Sequence, residues 1–153
     1  MSLTLRAYTP DDFDKLHAID QACYPSGIAY SKQTLRWFLR LPGAECVVAE
    51  LEDKIAGFIL AQQEGPNAHL ITIDVLAHAR RRGVGTALLD ILEHSLASCG
   101  ARQVELETAT DNQAAIAFWH KHGYRTVGVL KRYYLGRLDA YSMHKSLPAP
   151  KET

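Results

Sequence analysis

Six consecutive residues, Arg80-Arg81-Arg82-Gly83-Val84-Gly85, form the densest cationic cluster of the chain and contribute two of its glycines. They follow an apolar run from His69 to Leu76 and precede a segment of helical periodicity. Glycine lets the backbone approach a ligand with no Cβ in the way. The start of a helix presents unpaired N–H groups and a partial positive charge. Strand, basic Gly loop and helix N terminus together make a cradle for phosphate or pyrophosphate. A solvated basic turn without a ligand is the plain alternative.

The elements that position this loop follow from hydrophobic periodicity. Leu3, Leu5 and Ala7 alternate with polar neighbours, as a strand with one inward face does. Thr9 as N-cap, Pro10, Asp11 and Asp12 open a helix over Pro10–Ala22, with Phe13, Leu16, Ile19 and Asp20 at helical spacing. Tyr24-Pro25-Ser26-Gly27 breaks it, and Ser31 caps a second helix carrying Leu35, Phe38, Leu39 and Leu41 before Pro42-Gly43. The link Tyr24–Tyr30 is either a groove wall or a packed connector.

Cys46–Ala49 and Ile55–Ala61 read as strands joined at Glu52-Asp53-Lys54, with Gly57 marking a bulge or a close backbone approach. Gly65-Pro66-Asn67 turns into the run His69–Leu76, apolar on both faces and suited to the middle of a covered sheet. Asp74 is out of place there. It either bonds loop amides near a ligand or serves as a structural carboxylate. Val84, Leu88, Leu92 and Leu96, widened by Leu89 and Ile91, form an amphipathic helix ending at Gly100. Arg102–Thr108 is a strand with Val104 and Leu106 inward. Thr110–Gln113 matches a capping box before a helix that stops at Gly123. Tyr124–Leu130 and Leu138–Met143 are the last strands, joined through Lys131-Arg132-Tyr133-Tyr134. The fold class is therefore α+β, with a mixed, mostly antiparallel sheet of about seven strands and helices on both faces.

At 153 residues, 47% apolar and 22% charged, the chain suits one domain over residues 1–147 with a flexible tail over 148–153. Seventeen basic and seventeen acidic residues cancel. No global field then draws the chain to nucleic acid or to an anionic membrane, and the arginine cluster lacks a basic stripe around it. Cys23, Cys46 and Cys99 are odd in number and widely spaced, which argues against a disulfide scaffold or zinc module and suits a reducing cytosol. No apolar run approaches a membrane span. His120 and His122, two apart on a helix, do not share a face, so no metal is expected there.

Arg80-x-x-Gly83-x-Gly85 between a strand and a long helix resembles the acyl-CoA signature of the GNAT N-acetyltransferase superfamily. LETATDNQAAIAFWHKHGY resembles that family's strand, Asn-containing loop, short helix and Gly-aromatic end. RYYLGRLDAYSMHKSL is similar to the closing segment of RimI-like protein N-terminal acetyltransferases. The likeness is strongest over His69–Met143 and weak before residue 44. It implies a sheet splayed between its fourth and fifth strands and acetyl-CoA as co-substrate, without a metal. It also implies an amine acceptor: a protein or peptide N terminus, or alternatively a small amine such as a polyamine, amino acid or antibiotic. A non-catalytic acyl-CoA-binding domain is a further alternative, and the likeness suits a cytoplasmic monomer or homodimer.

The resemblance assigns the pyrophosphate to Arg80, Arg81, Arg82, Gly83, Val84, Gly85 and Thr86, and the pantetheine arm to Val75, Leu76 and Ala77. Asn112 matches the family's pantetheine-bonding Asn, with helix or loop capping as the alternative. Glu107 matches the general base, acting directly or through water. His69 stands where some relatives place a base-like tyrosine, and an imidazole titrates in a useful range. Tyr133 and Tyr134 match paired tyrosines that hold the acceptor backbone, Tyr134 doubling as a possible acid, and Tyr30 is a further acceptor contact. Neighbours on a regular strand point to opposite faces, which predicts that only one of the pair reaches the acceptor. Trp119 replaces the tyrosine taken as general acid in RimI-like enzymes. An indole N–H donates a hydrogen bond but supplies no proton near neutral pH. Trp119 is thus a packing residue beside the pantetheine, and the acid falls to Tyr124, Tyr133 or Tyr134 or to none.

Overall fold

The computed structural model describes residues 2–149. The expected tail falls mostly outside this range, and nothing is assigned to residues 150–153.

Seven strands form one sheet in the order β1-β2-β3-β4-β5-β7-β6. They are β1 Leu3–Ala7, β2 Ala44–Leu51, β3 Lys54–Glu64, β4 Asn67–Val75, β5 Gln103–Ala109, β6 Arg125–Tyr134 and β7 Leu138–Ser146. Helices α1 Phe13–Cys23 and α2 Lys32–Leu39 cover one face, and α3 Val84–Ser98 and α4 Gln113–Lys121 the other. The alternation of β2 and β3 divides the core between them. Val48, Phe58 and Leu60 join Phe13, Leu16, Ile19 and Leu35. Val47, Ala49, Ile59 and Ala61 join Leu88, Leu92 and Leu96.

Local chemistry explains where the elements begin and where the periodic reading drifted. A single 3-10 turn, Pro10–Asp12, precedes α1, because the Asp12 carboxylate turns back to accept from the Thr9 N–H at 2.9 Å. That carboxylate is held well down, to about 2, mainly by the Arg6 guanidinium. Ser31 caps α2 as expected, accepting from Thr34 N–H at 3.1 Å, but the helix ends at Leu39 and leaves Leu41 beyond it. At Gly57 both expected features occur. A Cβ there would lie 2.6 Å from the Asp74 carbonyl, and the β2–β3 register slips beside it, between Ala49 and Glu50. Ile91 does not join the buried stripe of α3 and is 40% exposed. The cap of α4 is Asn112 rather than Thr110, its Oδ1 accepting from Ala115 N–H at 3.2 Å. Lys131–Tyr134 belong to β6, which continues past an irregular register between Leu130 and Tyr134.

The feature that positions the site is the junction of β4 and β5. They pair in parallel at Asn67↔Gln103, Ala68↔Val104 and His69↔Glu105, and nowhere further along. Beyond that rung β4 stays paired with β3 as far as Val75, and β5 with β7 as far as Ala109. The sheet is thus split, with β4 presenting a free backbone edge.

Candidate active site

The split opens at its far end onto the basic loop. Leu76 leaves β4 with its N–H on the Ala56 carbonyl, and a 3-10 turn, Ala77–Ala79, leads to Arg80. Gly83 has φ +78° and is the N-cap of the 15-residue α3, whose first turn has no side-chain cap. Its N–H groups are therefore available to an anion. The two glycines differ in purpose. Gly83 supplies the left-handed backbone with open space around it, whereas a Cβ on Gly85 would meet the Phe118 ring at 3.3 Å. Gly85 thus lets α4 close against α3. Thr86, one residue on, has its hydroxyl 3.1 Å from His122 Nε2.

Along the free edge of β4, carbonyls that lack a strand partner are met by side chains. Ile71 accepts from Tyr30 Oη at 3.5 Å, Ile73 from Tyr24 Oη at 3.1 Å, and Val75 from Arg80 Nε at 3.0 Å and Cys23 Sγ at 3.5 Å. The Tyr24–Tyr30 link is therefore a wall of the split. Tyr24 and Cys23 were not singled out as site residues from sequence, where the helix end hid their direction.

At the closed end of the split three polar side chains meet. His69 Nε2 lies 2.8 Å from Glu107 Oε1, and the Tyr133 hydroxyl donates to the same oxygen at 3.2 Å. The Glu107 bond raises the His69 pKa above its ordinary value, since a carboxylate stabilises the imidazolium. Burial, with the Glu107 charge, raises the Tyr133 phenol, and burial raises Tyr134 further. Both phenols therefore stay protonated through neutral pH and are donors there.

Tyr133 and Tyr134 do not diverge as a regular strand would direct them. Arg132 sits at φ +55° within the irregular stretch of β6, and the two rings meet edge-to-face with centroids 4.9 Å apart. Tyr30 packs its ring on Phe38. Leu135 in the β6–β7 turn closes on Gly27, where a Cβ would meet its side chain. The two loops thus meet beside the split.

Three other expectations resolve structurally. Trp119 is 4% exposed between Phe118 and Tyr124 and belongs to the core. Tyr124 donates to Glu93 at 2.8 Å, away from Glu107. Asp74 bonds the Thr72 hydroxyl at 2.6 Å and faces Asp20, so it is a structural carboxylate rather than a loop ligand.

A split parallel strand pair, a bare helix N terminus behind a left-handed Gly, and a carboxylate–imidazole–phenol cluster are a specific combination. Residues 13–124 match the family model described as the acetyltransferase (GNAT) family. The chain belongs to the GNAT acetyltransferase family. It is an acetyl-CoA-dependent N-acetyltransferase.

The acetyltransferase is 30% identical to the N-alpha-acetyltransferase of Sulfolobus acidocaldarius, covering 91% of this chain and 89% of the relative. It is 29% identical to the corresponding enzyme of Saccharolobus solfataricus, covering 94% and 93%. Among solved structures it is similar to the ribosomal-protein-S18-alanine N-acetyltransferase of Escherichia coli, with TM-score 0.88, 25% identity, and 99% and 98% of the two chains covered. Ard1 of Thermoplasma volcanium superposes with TM-score 0.89 at 26% identity, covering 97% and 99%. The acetyltransferase's own backbone fits acetyl-CoA: the bare N terminus of α3 suits a pyrophosphate, and the free β4 edge suits a chain of amides.

Proposed function

We propose that the acetyltransferase modifies the α-amine of a protein or peptide N terminus by direct attack in a ternary complex. The observation that carries the reading is the Glu107 carboxylate, oriented by His69 and Tyr133, at the rung where β4 and β5 part. Relatives named as N-alpha-acetyltransferases over nearly the whole length support the acceptor class.

Acetyl-CoA supplies an activated thioester. Backbone N–H groups from Arg81 to Thr86 hold its pyrophosphate, with Arg80 and Arg82 adding charge. The edge of Val75–Ala77 pairs with the pantetheine amides. Asn112, whose Oδ1 is committed to capping α4, offers its Nδ2. Trp119 backs the site from the core.

The acceptor arrives as an ammonium and must lose a proton before it attacks. Glu107 takes that proton, through one water where the amine is out of direct reach. Two donors fix Oε1, which leaves Oε2 for this task. His69 orients the carboxylate and is the alternative base. As the N–C bond forms and the C–S bond breaks, the Tyr134 phenol supplies the proton to the departing sulfur. Tyr30 and Tyr133 line the acceptor side. Positioning carries much of the rate, because the thioester is already reactive. The free thiols of Cys23, Cys46 and Cys99 suit a cytosolic enzyme.

An acceptor panel tests the reading: peptides with free N termini, polyamines, amino acids and aminoglycosides, with thiol release followed from acetyl-CoA. Turnover with the peptides is expected. Turnover confined to small amines would replace the proposed acceptor, and tight acetyl-CoA binding with no turnover would remove the catalytic assignment.

A further inference from the structure

Two acids sit where apolar periodicity calls for core residues, Asp20 on α1 and Asp74 on β4, and both are 0% exposed. Each carboxyl has one oxygen committed. Asp20 Oδ2 accepts from the Tyr30 N–H at 2.7 Å, and Asp74 Oδ1 from the Thr72 hydroxyl at 2.6 Å. The other two oxygens, Asp20 Oδ1 and Asp74 Oδ2, have no hydrogen-bond partner, and the two carboxyls face each other where α1 meets β4, a contact fixed by Cys23 Sγ and Tyr24 Oη on the Val75 and Ile73 carbonyls. Two buried carboxylates facing each other would repel strongly, and two buried oxygens left unpaired would each carry a desolvation penalty. One proton between them removes both costs.

Among the described residues, the groups around the pair offer no cation to replace that proton. Cys23 on α1, Tyr24 and Tyr30 on the link, and Cys46 on β2 all feel its charge and are themselves pushed up by burial. β3 presents Phe58 opposite Asp74. The guanidinium of Arg80 reaches only as far as Cys23 Sγ, at 3.9 Å.

We propose that Asp20 and Asp74 share a single proton, and that this acid–carboxylate bond clamps the Tyr24–Tyr30 link onto the free edge of β4. Asp20 reaches the far end of the link through Tyr30 N–H, while Tyr24 Oη and Tyr30 Oη rest on the Ile73 and Ile71 carbonyls of the strand that carries Asp74. The two acids are positioning residues, acting through the link. Their effect on the acceptor rests on the proposed reading of that link as an acceptor wall. Burial and the facing Asp20 carboxyl raise the Asp74 pKa well above the usual carboxylate range, in keeping with a retained proton. Below the pH at which that proton leaves, the link is clamped. Above it two carboxylates face each other, and the ratio of clamped to released link falls by up to about ten-fold per pH unit.

The experiment is a pH titration of the full-length protein by NMR with carboxyl-labelled aspartate, paired with acceptor KM across the same range. One aspartate carboxyl carbon is expected to stay protonated far above the ordinary range. It should be lost in Asp74→Asn, whose amide N–H donates to Asp20 permanently. Wild-type acceptor KM is expected to rise above the same midpoint, and the Asp74→Asn KM to stay flat. Asp20→Asn, which keeps an acceptor for Tyr30 N–H and donates to Asp74, provides the reciprocal variant and is expected to behave alike. Aspartate carbons that all titrate in the ordinary range would overturn the shared proton. A shared proton with a pH-independent KM in wild type would overturn the clamp. The NMR readout needs no acceptor, so loss of the proposed acceptor class would leave it standing.

Discussion

His69 Nε2 and Glu107 Oε1 stand 2.8 Å apart on neighbouring strands at the rung where those strands separate. The pair ties the last shared turn of the ladder to the first residues of the split.

Replacing Glu107 by Gln keeps the bonds to His69 and Tyr133 while removing the proposed base. The kcat for a peptide acceptor is expected to fall by about 10²–10⁴-fold, the range typical of general bases. Acetyl-CoA affinity by calorimetry should stay within about two-fold, since Glu107 is at the opposite end of the split from the Gly loop. Unchanged turnover across pH would remove the assignment.

The His69–Glu107 bond also predicts a pH-dependent stability. Because the folded pKa of His69 is raised, its contribution is fully present below the ordinary value of 6.5 and fades as pH rises through the folded value. The melting temperature of His69→Gln should therefore lie furthest below wild type in mildly acidic buffer, and the two should converge toward alkaline pH. Thermal melts at several pH values check this.

At the other extreme, Asp12 contributes stability above the ordinary carboxylate value, and that contribution is lost as pH falls toward about 2. The shift corresponds to roughly 2 kcal/mol at neutral pH. Asp12→Asn should lower denaturant stability by about that amount at pH 7. Its deficit should shrink as pH falls through about 2, where the wild-type carboxyl takes up its proton.

Much of this architecture was readable from residue types. Cys46–Ala49 and Ile55–Ala61 were legible as strands, and the stops at Gly100 and Gly123 ended their helices, both in left-handed backbone. The basic Gly loop was legible as a turn into α3, and Glu107 owes its proposed role to the family resemblance. What escaped was whatever depended on side chains meeting across elements. Tyr24 lies just beyond a helix end, and only the fold shows its hydroxyl on a β4 carbonyl. Asp74 looks out of place in its apolar run, but its facing partner Asp20 lies 54 positions away and passed as an ordinary residue of a helix. The irregular backbone around Arg132 defeated the strand rule that separates Tyr133 from Tyr134.

Gly83 occupies a left-handed conformation, φ +78°, where a Cβ costs about 1–2 kcal/mol. Gly83→Ala should lose roughly that much stability and raise the KM for acetyl-CoA several-fold, with the acceptor KM little changed. Steady-state kinetics with each substrate varied in turn separates the two effects.

The most direct test of the account uses one peptide carrying both a free α-amine and an internal lysine. After turnover with acetyl-CoA, fragmentation mass spectrometry locates the acetyl group. Acetyl on the α-amine alone, with its appearance abolished by Glu107→Gln, is the predicted result. Acetyl on the lysine alone, or on neither while a small amine is modified, would contradict it.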